Sequence, residues 1–170
     1  MSVPGPDPEP IPAIRALLAD DQYDGVRATV LDNNPDMDEA TAGRIVDEAL
    51  KFVAACAQFP DVAIAPSRVV DEGWHALILH TQLYADLCTK LGGNFIHHVP
   101  ERPDPSRHDA DIMRRTVALI GEAGHSVEQD LWRSPDDALV LVAAKCQHSP
   151  NCGIKVEKRP KPPPPQPKSV

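Results

Sequence analysis

The amino-acid sequence predicts an all-α fold: a single bundle of five or six helices between disordered Pro-rich ends. Three observations carry that prediction. Apolar residues recur at three- and four-residue steps through two long stretches, 42–56 and 70–91, the spacing that lines one face of a helix. The nineteen prolines crowd the ends, five at positions 4, 6, 8, 10 and 12 and six from Pro160 to Pro167. Such ends are extended and polyproline-like, while the interior keeps its helices. A chain of 170 residues, 42% of them apolar, has room for one domain with its own core.

The elements follow in order. A short helix is expected over 13–19 and another over 22–31, stopped by Asn33-Asn34-Pro35. Asp36 and Glu39 have capping-box spacing and open the next helix. In it Ala42, Ile45, Val46, Ala49, Phe52, Val53 and Cys56 make one apolar stripe, with Cys56 as a small core hydrophobe. After Phe59-Pro60 and a short apolar link at 62–65, one helix is expected over 67–91. Val70, Trp74, Leu77, Thr81, Tyr84, Cys88 and Leu91 fall within about 100° of arc on it, over roughly six to seven turns. Gly92-Gly93 ends it as a C-cap signal, and 94–99 is a short extended or turn segment. Pro100, Pro103 and Pro105 stiffen a loop, and Ser106 with Asp109 resembles a capping box for a helix to about Gly121. Ile112, Met113, Thr116, Val117 and Ile120 are its apolar side, and Gly124 closes it. The stretch 136–145 is apolar enough to be a buried helix or a strand, and periodicity does not choose. The organisation is a Pro-rich N-terminus over 1–12, a helical domain over 13–154 and a Pro-rich tail over 155–170.

Composition excludes several functions. A net charge of −8 and 4% aromatics do not suit a phosphate-binding surface or a base-stacking platform, so no nucleic-acid partner is expected. No run of eighteen apolar residues exists, and MSVPGPDPEP has neither a basic nor an apolar leader region. Neither membrane spanning nor secretion is expected. Four cysteines without a leader read as cytoplasmic thiols or metal ligands. The tail carries Lys155, Lys158, Arg159, Lys161 and Lys168 against Glu157, a net of +4. Such a tail could recruit a protein partner with an aromatic groove or an acidic face, or it could simply be solvated.

The histidines offer the chemistry. Asp71 and His75 lie one turn apart, about 40° around the helix, so both side chains reach one point. Glu72 is at i−3 from His75 and competes for the same role. Glu72-Gly73-Trp74-His75 is also a literal Glu-x-x-His, the pattern of di-iron bundles. The second match, Glu122-Ala123-Gly124-His125, is bracketed by Gly121 and Gly124, which puts His125 past a helix end. His80 is about 140° from His75 on a straight helix and points elsewhere. His97 and His98 face opposite sides of an extended segment, so only one of them joins a site with His75. The constellation is Asp71 and His75 with His97 or His98, brought back by Gly92-Gly93. Two His and one carboxylate with open positions suit a divalent metal, either non-haem iron or zinc. A buried Asp–His ion pair and metal-free acid–base work are the other readings.

A second cluster is Cys146, His148 and Cys152. It supplies three local ligands, with His108 or His125 as a fourth for a closed zinc site. A Cys146–Cys152 disulfide and free thiols are its alternatives. Neither Cys56 nor Cys88 has a basic activator nearby in sequence, which disfavours a Cys nucleophile.

Val70-Asp71-Glu72-Gly73-Trp74-His75, then Ile78, Thr81, Tyr84 and Cys88, then Phe95-Ile96-His97-His98-Val99-Pro100 resembles the glycine-rich-domain-protein-like family. The resemblance covers roughly 38–133, including Arg115-Thr116 and Leu131-Trp132. It implies an all-helical domain, and its characteristic polar positions fall on Asp71, His75, His97 and His98. Leu77 stands where plant members often have a second His, and Gly124-His125 where an aromatic-Gly pair is common. Two functions are carried forward. One is a metal-binding protein, or metal-dependent enzyme, built on the Asp/His cluster. The other is a non-catalytic interaction module with a structural Asp–His network and a partner-recruiting tail.

Overall fold

The structure, a computed structural model, describes residues 13–99, 110–133, 142 and 153–157. Among them five α-helices pack around one core, joined by a two-stranded antiparallel ribbon: α1 (Asp20–Asn33), α2 (Glu39–Gln58), α3 (Arg68–Leu79), α4 (Thr81–Lys90), β1 (Phe95–Val99), α5 (Ile112–Glu122) and β2 (Gly153–Glu157). The fold is mostly α, as the apolar spacing predicts. No helix among the described residues is long and apolar enough to cross a membrane.

Local chemistry explains the boundaries. The segment over 13–19 is a 3-10 turn, Ile14–Leu17. The first α-helix starts at Asp20, earlier than expected, because the Gln22 Oε1 accepts from the Ala19 amide at 3.0 Å. It stops where expected, with Asn34 as its C-cap. The N-cap of α2 is Asp38 rather than Asp36. Its carboxylate accepts from the Thr41 amide and the Thr41 hydroxyl, both at 2.8 Å, and these bonds hold its pKa below the usual carboxylate value.

α2 is the central element and touches α1, α3, α5 and both strands of the ribbon. Ala42, Ile45, Val46, Ala49, Phe52, Val53 and Cys56 are all buried on it. It also buries Glu48 completely.

The single helix expected over 67–91 is two helices. The chain breaks at His80 (φ −85, ψ 68), whose Nε2 lies 2.8 Å from the Thr29 hydroxyl on α1. The break shifts the helical phase. Thr81 is exposed, and α4 buries Leu83, Tyr84, Leu87 and Cys88. Upstream of it α3 keeps the predicted face, with Val70, Trp74 and Leu77 fully buried. Ser67 caps α3 by accepting from the Val70 amide at 3.1 Å, and its hydroxyl donates to the Leu131 carbonyl.

Gly92 and Gly93, with φ of 133 and 84, turn the chain back in a conformation that side chains with a Cβ rarely adopt. The segment after them is a strand, paired Phe95↔Glu157, His97↔Lys155 and His98↔Ile154. Strand pairing therefore crosses the expected domain boundary at 154/155 and takes the first three residues of the tail. The Pro100, Pro103 and Pro105 loop, the Ser106–Asp109 cap and the stretch 136–145, apart from Val142, lie outside the described residues. In α5, Thr116 and Ile120 are buried, and the Thr116 hydroxyl accepts from the Ala65 amide at 3.0 Å.

Candidate metal centre

Asp71 and His75 sit on consecutive turns of α3, and the Asp71 Oδ2 is 3.5 Å from the His75 Nε2. The third member comes from β1, where alternation decides which histidine faces in. Ile96 is fully buried, so residue 98, two further on, shares its face. The His98 Nε2 stands 3.4 Å from the Asp71 Oδ1 and 2.9 Å from the His75 Nε2. Side-chain exposure is 2% for Asp71, 9% for His98 and 26% for His75, so the cluster opens to solvent at His75. These are the ligand atoms of one group of three within 4.8 Å of one another.

The geometry can be tested against a metal. Bonds of about 2.0–2.1 Å place tetrahedral ligand atoms about 3.3 Å apart, and octahedral neighbours sit somewhat closer. The two Nε2 atoms are 2.9 Å apart, and each has one Asp71 oxygen near that value, Oδ1 at 3.4 Å from His98 and Oδ2 at 3.5 Å from His75. Hydrogen bonding alone leaves the trio short: the two imidazoles satisfy each other, while the buried Asp71 Oδ1 has no hydrogen-bond partner. An orphaned carboxylate oxygen in the interior is costly, and a cation beside it removes that cost. The donor set therefore fits a divalent ion.

Other candidates lie elsewhere. His97 is on the opposite face of β1, with its ring 4.6 Å from that of Phe95, and does not enter the group. Glu72 is buried but turns toward α1, where its Oε1 accepts from the Asn34 Nδ2 at 3.1 Å. His80 is held at Thr29. His125 follows Gly124 (φ 90) beyond the end of α5, as the glycines predict. Burial, helped by Lys51 and opposed by Glu48, lowers its pKa. Neither Glu-x-x-His match thus builds a di-iron pair. Cys146, His148, Cys152 and His108 lie outside the described residues. Cys56 and Cys88 are free and buried, and burial raises both thiol pKa values, which keeps them from acting as thiolates.

Two arrangements carry no local sequence signal. The Glu48 carboxylate accepts from the Trp132 Nε1 and the Lys51 Nζ, each at 2.6 Å. The Trp74 Nε1 donates to the Tyr84 hydroxyl at 3.0 Å, and the Trp74 ring lies 4.6 Å from that of His98. The only hint of the first is a charged residue inside an apolar stripe.

Comparison with known proteins corrects one expectation. The resemblance to the glycine-rich-domain-protein-like family does not hold, because the family model that matches is a different one. That resemblance rested on the segments 70–75 and 95–100, with single residues between and after them, over roughly 38–133. No curated protein and no solved structure matches the chain. The match to the UCP032817-like family model runs over residues 16–129, more than half of the sequence, and the chain belongs to that family.

Proposed function

We propose that this chain is a metal-binding protein that holds one divalent ion, of the iron or zinc type, between Asp71, His75 and His98. The observation that carries the reading is the buried Asp71 Oδ1, without a hydrogen-bond partner beside two converging Nε2 atoms. Three protein ligands leave coordination positions open. The partly exposed His75 marks the side on which water or a substrate enters. A metal-dependent reaction would run there, with the ion supplying Lewis acidity or redox chemistry. Trp74 against His98 and the buried carboxylate of Asp71 shield the opposite side from water. The free thiols Cys56 and Cys88 support a cytoplasmic setting, and the acidic, aromatic-poor sequence supports the absence of a nucleic-acid partner.

The test is metal content. Protein purified without a His-tag should retain about one iron or zinc ion per chain after dialysis, by elemental analysis. Absence of bound metal, with no binding of added Zn2+ or Fe2+ in titration, would overturn the reading. The interaction module with a structural Asp–His network and a basic Pro-rich tail would then take its place.

A further inference from the structure

The backbone carbonyl of Ile96 is held by a side chain of α4: the Tyr84 hydroxyl donates to it at 2.6 Å. In an antiparallel pair, alternate residues turn their N–H and C=O away from the partner strand. At Ile96 the carbonyl meets α4, which covers part of the edge of β1 that β2 leaves open.

Trp74 ties this grip to the metal centre. Its indole N–H donates to the same Tyr84 hydroxyl, and its ring packs on His98. A closed circuit results: His98 to Trp74 to Tyr84 to Ile96, and two residues along β1 back to His98. Trp74 and Ile96 are fully buried, and Tyr84 is 1% exposed. Such anchoring matters because a five-residue strand in a two-stranded ribbon is marginal by itself. Two residues of strand form a lever of about 6.6 Å, so a 10° tilt at Ile96 would move His98 by about 1 Å. Metal–ligand distances tolerate only about 0.2 Å.

We propose that Tyr84 is the positioning residue of the Asp71–His75–His98 centre: by fixing Ile96 it sets where His98 presents its Nε2, with Trp74 as its support. The proposal rests on the metal reading above and extends it to residues that touch no ion. Removing the Tyr84 hydroxyl leaves the Ile96 carbonyl and the Trp74 indole N–H without their partner, and it frees the strand that carries His98.

The experiment uses the full chain and compares Tyr84→Phe with Tyr23→Phe. The control also removes one buried hydroxyl, bonded to the Gly43 carbonyl and the Asp47 carboxylate, each at 2.9 Å, outside the centre. Zn2+ affinity is read by competition with a chromophoric chelator, and ligand geometry by the visible spectrum of the Co2+ form. Tyr84→Phe should bind Zn2+ about 10–100-fold more weakly and alter the Co2+ spectrum, while Tyr23→Phe changes neither. Wild-type affinity and spectrum in Tyr84→Phe would overturn the proposal, as would equal weakening in Tyr23→Phe. If Tyr84→Phe does not fold, Trp74→Phe replaces it by removing the indole N–H that holds the Tyr84 hydroxyl, with the same direction expected and the same outcomes decisive. If the wild-type chain binds no metal, the metal reading fails separately. Positioning is then decided by the imidazole 15N resonances of His98 in the metal-free proteins. They should shift in Tyr84→Phe and not in Tyr23→Phe, and unshifted resonances would overturn it.

Discussion

Gly73 on α3 lies against the backbone of Ile45 on α2. A Cβ at residue 73 would stand 2.7 Å from the Ile45 carbonyl oxygen and 2.9 Å from the Ala49 Cβ. Both neighbours are parts of a rigid, buried helix, so neither can swing aside. This close approach seats α3 deeply enough for Asp71 to be buried and for His75, two residues past Gly73, to meet β1.

Gly73→Ala should therefore destabilise the protein, although alanine is the better helix former by about 1 kcal/mol. Overpacking costs about 1–3 kcal/mol in a filled core, and backbone contact puts this site at the upper end. Urea unfolding measures it. A variant as stable as wild type would show that α2 and α3 are not in backbone contact.

The three candidate ligands differ from their histidine neighbours in a way that a variant series reads directly. His75→Ala and His98→Ala should each abolish stoichiometric metal binding. His97→Ala and His80→Ala should retain it, since His97 lies against Phe95 and His80 against Thr29. Asp71→Asn should weaken binding by more than about 100-fold, beyond the range typical of a group that only orients a ligand. Loss in His97→Ala with retention in His98→Ala would mean that β1 is shifted by one residue.

Glu48 is a buried carboxylate with charged and aromatic donors on both oxygens. Glu48→Leu should cost about 3–5 kcal/mol, because it strands the Trp132 indole N–H and leaves the Lys51 ammonium only the Ser126 carbonyl. Glu48→Gln keeps an acceptor for Trp132 and should cost less. Chemical denaturation of the two variants checks the order. Equal and small losses would make the Glu48–Trp132 contact dispensable.

His125 sets a pH dependence. Its pKa is lowered in the folded chain, first by burial and then by Lys51, with Glu48 opposing. The unfolded chain, with a His pKa of about 6.5, then binds more protons than the native chain in the window just below that value. Stability is full above the window and falls as pH drops through it. His125→Gln should remove this part of the acid sensitivity. Unfolding free energies at pH 7.5 and 5.5 test it, and identical pH slopes in both proteins would refute it.

Much of the fold is legible because spacing reports which face of a helix is buried, and α2 is the clearest case. The site is legible in part. The Asp71–His75 pairing follows from helical pitch alone. The choice of His98 over His97 needs the parity of β1, which only the burial of Ile96 fixes. The break at His80 is hidden because Val70, Trp74, Tyr84 and Cys88 keep near-helical spacing across it. The burial of Leu83 and Leu87 with Thr81 exposed is what betrays the shift. Asp36 and Asp38 both precede α2 at plausible cap positions, and the two hydrogen bonds from Thr41 decide for Asp38. Glu48 shows only as a charged residue inside an apolar stripe, since its partner Trp132 is 84 residues away.

The circuit around His98 also sets an order in time. His75 and His98 are 23 residues apart, Trp74 and Tyr84 are 10 apart, and Tyr84 and Ile96 are 12 apart. All of these residues have therefore been synthesised once Val99 leaves the ribosome, while the strand β2 that pairs with β1 has not. Trp132 follows roughly 2–7 s later at ordinary elongation rates, and β2 later still. Short separations close at small entropic cost, so the contacts among Trp74, His75, Tyr84, Ile96 and His98 have their partners in the chain before Glu48 has Trp132.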